Sequence, residues 1–218
     1  VTDRVVAQLY VWSDVGKQHG MVQLVQLSHP GRQCPKGLNK ETVAPSAVSF
    51  SPALAMSFGT PRELREDEIL DIIQRFATSA AICEKAGFEG VQLHGAHGYL
   101  ISQFLSPLTN KRQDQWGGSI ENRTRFLLQT YQAVRAATSE NFIISVKLNS
   151  ADFQRGGISE EDVIYVFKAM DAAGIDIIEV SGGSYEAPAM AGVKADKRKA
   201  STIAREAYFL DFAEKIRQ

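Results

Sequence analysis

Apolar and polar positions along this 218-residue chain switch repeatedly between a helical and a strand-like spacing. Residues 3–19 carry Val5, Val6, Leu9, Tyr10 and Trp12 at helical intervals, and Gly20 stops the run. Residues 21–27 form an apolar stretch that predicts a strand. Residues 30–65 read as a long loop rich in Pro, Ser and Gly, of a length that in a compact domain usually serves function. Residues 66–86 place Ile69, Ile72, Ile73, Phe76, Ala80 and Cys83 on one helical face, and Gly87 follows as a C-terminal glycine should. A strand is predicted over 89–94, then a loop that runs through Pro107 to Trp116-Gly117-Gly118. Ser119 suits the N-cap of a helix over 120–138, with Glu121 in its first turn. A strand over 142–148 and a helix over 160–173 follow, the helix capped by Ser159 and stopped by Gly174. The pattern closes with a strand over 175–180 and a helix at about 202–217.

Strand and helix thus alternate four times, with no hairpin signal between strands, which predicts a parallel sheet with helical crossovers. An open doubly wound sheet and a barrel both meet that description. No G-x-G-x-x-G follows the first strand, which argues against a dinucleotide-binding sheet. Polar residues favour the barrel: Gln26 ends the first strand, Gln92 and His94 lie two apart on the second, Ser145 and Lys147 on the third, Glu179 and Ser181 on the fourth. Residues two apart share a face of a strand. Each strand therefore turns polar on one face at its carboxyl end, where barrel enzymes hold their active sites. An interstrand salt bridge between Lys147 and Glu179 is the alternative reading of those two residues. A complete barrel has eight strands and ~250 residues. The expectation is one domain over 1–218, an α/β fold of (β/α)8 TIM-barrel type with only the central four βα units, lacking the first two and last two strands.

Composition narrows the partners. The chain is 44% hydrophobic and 22% charged with a net charge of -1, which gives no reason to expect nucleic acid or an anionic membrane. No apolar run approaches the ~20 residues of a spanning helix. The first residues, Val1-Thr2-Asp3-Arg4, carry no secretory pattern. Cys34 and Cys83 are the only cysteines, so no disulfide framework is expected and a reducing, cytoplasmic setting is. Cys83 reads as a core residue, while Cys34 lies in a loop.

The stretch His94-Gly95-Ala96-His97-Gly98-Tyr99 carries the densest chemistry. Two imidazoles and a phenol leave the end of a strand among glycines that keep bulk low. That end of a strand is where parallel α/β proteins hold ligands and do chemistry. The imidazole pair can also ligate zinc, with His29, Glu179 or an Asp as third ligand, as in a metal-dependent hydrolase, or be structural.

With the elements placed, the chain resembles the old yellow enzyme family of FMN-dependent ene-reductases and NADH:flavin oxidoreductases, in its bacterial-type His-x-x-His branch. Gln26-Leu27-Ser28-His29-Pro30-Gly31-Arg32 resembles the third barrel strand and its loop, and His94 to Leu100 the fourth. Gln103-Phe104-Leu105-Ser106-Pro107 through Asn110, with Trp116-Gly117-Gly118-Ser119 into Glu121-Asn122-Arg123, is similar to the family's long signature. Ser145-Val146-Lys147-Leu148 and Glu179-Val180-Ser181-Gly182-Gly183 resemble strands five and six.

The resemblance implies FMN as cofactor, reduced by NADH or NADPH, and a small alkene with an activating carbonyl as substrate. It implies that Gln26 binds the flavin pyrimidine edge, that His94 and His97 hold the substrate carbonyl, and that Tyr99 stands near the substrate as hydrogen-bond donor and candidate proton donor, with water as the other proton source. His94 also borders the cofactor. Lys147 stands where the family has Arg beside flavin N1, keeping the charge but losing the planar fork. It further implies that the FMN phosphate site lies in the turns after strands seven and eight; the loop over 30–65 is expected to form part of the substrate wall. A non-catalytic half-barrel that self-associates, giving a homo-oligomer, is the other class of outcome. Trp116-Gly117-Gly118 and Asn122-Arg123 are expected to hold the loop, and Lys194 to Lys199 to be a solvated face.

Overall fold

The structure is a computed structural model, and it describes residues 2–187 and 208–216. Four parallel strands form the sheet: β1 (Leu24–Leu27), β4 (Gly90–Gly95), β5 (Ile143–Asn149) and β6 (Ile177–Ser181). They lie side by side in chain order, whereas a doubly wound sheet reverses order at a switch point. Helices α1 (Asp3–Lys17), α2 (Glu66–Lys85), α4 (Ile120–Ala137) and α5 (Glu160–Ala173) connect or flank them. The final helix, α6, covers Tyr208–Ile216, and the rest of the helix expected over 202–217 lies outside the described residues, as does the Lys194–Lys199 run.

The two faces of the sheet differ because the strands alternate. Val91, Leu93, Ile144, Val146 and Leu148 are fully buried in one core with Ile69, Ile73, Phe76, Phe126 and Leu127 of the helices. The opposite face carries Gln26, Gln92, His94, Ser145, Lys147 and Glu179. One face apolar and helix-covered, the other polar and open, is the section of a barrel wall. Gly90 keeps two strands close: a Cβ there would lie 2.4 Å from the Ile143 carbonyl oxygen.

The expected caps form. Ser119 and Ser159 accept from the backbone N–H groups of Asn122 and Asp162, and Gly174 ends α5 in the left-handed conformation at φ +86°. Four expectations are corrected. The first strand begins at Leu24 rather than residue 21: its ladder opens opposite Gly90, and before it the Met21 amide turns back to the Gly16 carbonyl. The strand expected from residue 175 begins at Ile177, opposite Ser145. The loop over 30–65 contains a short parallel ladder, β2 (Val43–Ala44) with β3 (Arg62–Glu63), and two 3-10 turns. The stretch read as loop after His97 contains a buried helix, α3 (Leu100–Leu105). All six α3 residues are buried, so no polar face marks it in the sequence. Both cysteines are buried free thiols.

The signature loop is held from within, as expected of Trp116 and Arg123. Asn110 Nδ2 donates to the carbonyls of Phe104 and Trp116, both at 2.8 Å, and so closes the signature loop over buried Trp116. Arg123 donates to the carbonyls of Gly118 and Leu105 and pairs with Asp162 at 2.7 Å, tying that loop to α5.

Candidate active site

Strand register sets the site. Gln26, Gln92 and Ser145 are consecutive partners across β1, β4 and β5, and His94, Lys147 and Glu179 are partners one step nearer the carboxyl ends of β4, β5 and β6. Side chains bond along and between these rows. Gln26 Nε2 donates to Gln92 Oε1 at 2.7 Å, and Gln92 Nε2 donates to Glu179 Oε2 at 2.8 Å and to Ser145 Oγ at 3.2 Å. Lys147 Nζ pairs with Glu179 Oε1 at 2.8 Å. The Lys147–Glu179 bridge weighed from the sequence is therefore present, but it is not sealed: the side chains are 20% and 45% exposed. Burial raises the Glu179 carboxyl, and the hydrogen bonds from Lys147 and Gln92 outweigh it, holding Glu179 below its ordinary value.

Three rings crowd the end of β4. His94 and His97 stand edge to face with centroids 5.1 Å apart, and Tyr99 lies 4.6 Å from His94. His97 reaches this place through a left-handed backbone, φ +59°, a conformation uncommon for a side-chain-bearing residue and typical of constrained sites. Its amide donates to Asn149 Oδ1 at 3.2 Å, and its Nε2 lies 2.7 Å from Ser181 Oγ. His94 Nδ1 accepts from the Ala96 amide at 3.3 Å, which leaves the ring proton on Nε2 as a free donor. The Tyr99 hydroxyl meets that of Tyr185 at 3.4 Å, and Tyr185 stacks on Phe58.

Ionisation follows from these surroundings. Burial first, then His97 and Lys147, push His94 down to about 4. Burial and Lys147 also lower His97, against a smaller pull from Glu179. The hydrogen bond to Tyr185, with burial, pushes Tyr99 up to about 12. At neutral pH the site holds two uncharged imidazoles and a protonated phenol.

A pH dependence of stability follows. The unfolded chain protonates its histidines near pH 6.5, whereas folded His94 resists until about 4. Stability therefore rises with pH between about 4 and 6.5 and is lost as pH falls through that window. Urea midpoints measured from pH 7.5 to 4 are expected to decline below 6.5, and His94→Gln to make the decline shallower without removing it, since burial pushes His29 down to about 4 as well. Equal slopes in the two proteins would remove His94 as its cause.

All five residues singled out from the sequence (Gln26, His94, His97, Tyr99 and Lys147) lie at this end of the sheet or on its inner face. Sequence reasoning missed four of their partners as site residues. Gln92, Asn149 and Ser181 share the inner face with the residues that were found, and that two-residue spacing was the available signal. Tyr185 lies on the turn after β6, where no periodicity marks it.

The donor set suits a flavin: carboxamides that donate and accept, beside an ammonium, match the mixed donor and acceptor edge of an isoalloxazine ring. The exposed amide of Gln26 leaves that strip accessible. Among the described residues, no three His, Cys, Asp or Glu side chains gather as a metal site, and no helix there is long and apolar enough to cross a membrane.

Comparison with known proteins converges on one family. The pattern that defines the NADH:flavin oxidoreductase / NADH oxidase family matches residues 6–215. The chain is 40% identical to NADH-dependent flavin oxidoreductase iliE of Hypocrea jecorina, over 98% of this chain and 57% of that protein. It is 42% identical to an NADPH dehydrogenase of Clostridium acetobutylicum, over 77% of this chain and 48% of that protein. Among solved structures, a 2-naphthoyl-CoA reductase with 2-naphthoyl-CoA superimposes with a TM-score of 0.85 at 31% identity, covering 100% of this chain and 33% of that one. An old yellow enzyme homologue from Zymomonas mobilis gives 0.74 at 25% identity, covering 98% and 67%. The chain spans about half the length of the curated relatives it matches.

Proposed function

The chain belongs to the NADH:flavin oxidoreductase / NADH oxidase family, the old yellow enzymes, whose flavin is FMN and whose fold is the (β/α)8 barrel; on that premise we propose that it reduces activated C=C bonds of enone-like substrates with NAD(P)H. Residues 1–218 make one domain in this reading, the middle of the barrel wall. The observation that carries it is the pairing of two neutral imidazoles and a protonated phenol at the end of β4, beside an open row of amides.

FMN, held there, would supply the redox chemistry, a hydride for the β-carbon of the alkene. Gln26 offers its carboxamide to the pyrimidine edge of the ring. Lys147 places positive charge beside it, moderated by Glu179. His94 and His97 donate to the substrate carbonyl and stabilise the charge that grows on its oxygen, as an oxyanion hole does. Being neutral, they act by hydrogen bonding without first having to lose a proton at pH 7. Tyr99, protonated up to about pH 12, gives its hydroxyl proton to the α-carbon and recovers one from solvent.

A titration with FMN followed by flavin fluorescence tests the binding half of this reading. Saturable quenching is expected, weakened at least about tenfold by Gln26→Ala with His94→Ala, since about 1.4 kcal/mol of lost hydrogen bonding is a factor of ten. Binding equal in the wild type and the double variant would remove these residues from the flavin site.

A further inference from the structure

We propose that Ser181 is a positioning residue that fixes the tautomer of His97: its hydroxyl donates to Nε2, so that the ring carries its proton on Nδ1 and offers Nδ1–H to the substrate oxygen. The proposal rests on the assignment of His97 as a carbonyl-binding donor.

The geometry constrains the ring from two sides. Ser181 is the last residue of β6 and is buried, with Oγ 2.7 Å from His97 Nε2. Asn149, its register partner on β5, accepts from the His97 amide through Oδ1 and donates through Nδ2 to the Gly183 carbonyl at 3.0 Å. One side chain therefore clamps both the His97 turn and the turn after Ser181. The backbone of His97 pairs again with Ser184 across the same two turns. With its backbone held on both sides, the imidazole keeps Nε2 beside Ser181.

A neutral imidazole has one N–H and one lone pair. With its proton on Nε2, His97 would spend it on Ser181 and turn a lone pair toward the oxygen on which negative charge grows. A serine hydroxyl donates or accepts with equal ease, so donation from Ser181 is the arrangement that leaves two donors for one oxygen. His94 is set the opposite way, with Nδ1 engaged by the Ala96 amide and the proton on Nε2. The charged and titratable groups acting on His97 are His94, Lys147 and Glu179. The ion pair between the last two leaves little net field to favour an imidazolium.

Long-range 1H–15N correlation of the histidine rings at pH 7 reads the tautomers directly. The chain has four histidines, and His97→Gln assigns the signals. Expected for His97 are a protonated Nδ1 and an unprotonated Nε2, with the reverse for His94. Ser181→Ala should return His97 to Nε2–H, and Ser181→Thr, which keeps the hydroxyl, should retain Nδ1–H. Nε2–H on His97 in the wild-type chain overturns the proposal, as does Nδ1–H persisting in folded Ser181→Ala. The wild-type spectrum decides by itself if the alanine variant does not fold. The measurement needs neither flavin nor substrate. Failure of enone reduction would thus count against the proposed function and leave the tautomer result standing.

Discussion

His94→Ala is expected to slow hydride transfer to an enone by about 10²–10³-fold, the usual cost of removing one preorganised oxyanion donor and worth ~3–4 kcal/mol of barrier. The loss should fall on the oxidative half-reaction. Reduction of the flavin by NAD(P)H involves no carbonyl charge at this position and should change much less. Stopped-flow measurement of the two half-reactions separates them. His97→Ala should act in the same half-reaction, and the double variant should lose less than the product of the two single effects, because both donors serve one oxygen. The pH dependence adds a second check. His94 stays neutral down to about 4, so it should add no titration of its own to the oxidative rate between pH 8 and 5. A rate that follows an ordinary imidazole titration near 6.5 would contradict donation by neutral rings. Equal slowing of both half-reactions would instead place His94 in flavin binding alone.

The second large effect is on stability. Arg112→Ala is expected to destabilise the fold by about 3 kcal/mol. The guanidinium is buried and donates to the carbonyls of Pro45 and Leu64 at 3.0 and 2.7 Å, and its other nitrogens grip Asp114 at 2.6 to 3.1 Å. It therefore ties the loop over 30–65 to the signature loop before α4. Truncation strands two carbonyls that accept from it, at about 1–3 kcal/mol each where water cannot replace the donor. Asp114 is 44% exposed and can rehydrate, which keeps the cost below that of breaking a fully buried pair. Arg112→Lys should recover little, since one ammonium cannot reach three partners in the fork geometry. Chemical denaturation reads the result, and a change below about 1 kcal/mol would show that the two loops hold together without this residue.

Much of the scaffold was legible in residue order because its causes are local. Ile69, Ile72, Ile73 and Phe76 on one face, with Gly87 beyond, specify α2 without reference to anything distant. Ser119 and Ser159 mark helix starts because their hydroxyls satisfy amides two or three residues on. The polar ends of the strands were legible for the same reason: a period of two places Gln92 with His94, and Glu179 with Ser181, on one face. The failures have a common cause. The buried helix α3 has no solvent-facing side, since α4 and the turn at 31–33, both distant in sequence, pack on it together with β4. The ladder of β2 with β3 spans only two residues per strand, too short for any alternation to show. The start of β1 depends on where its ladder with β4 opens.

By itself, the sequence determined the class of fold, the alternation of the four main strands with their helices and which chemical groups gather at the carboxyl ends of the strands, because periodicity, capping and turn chemistry act over a few residues. The tertiary structure alone decided how those groups are employed. Strand register sets Lys147 against Glu179 and Gln26 against Gln92. The end of β6 brings Ser181 to His97, and the turn after it brings Tyr185 to Tyr99, each across more than eighty residues of chain. Hydrogen-bond direction, tautomer and protonation depend on these partners and on exclusion of water, and neither exists until distant segments pack together.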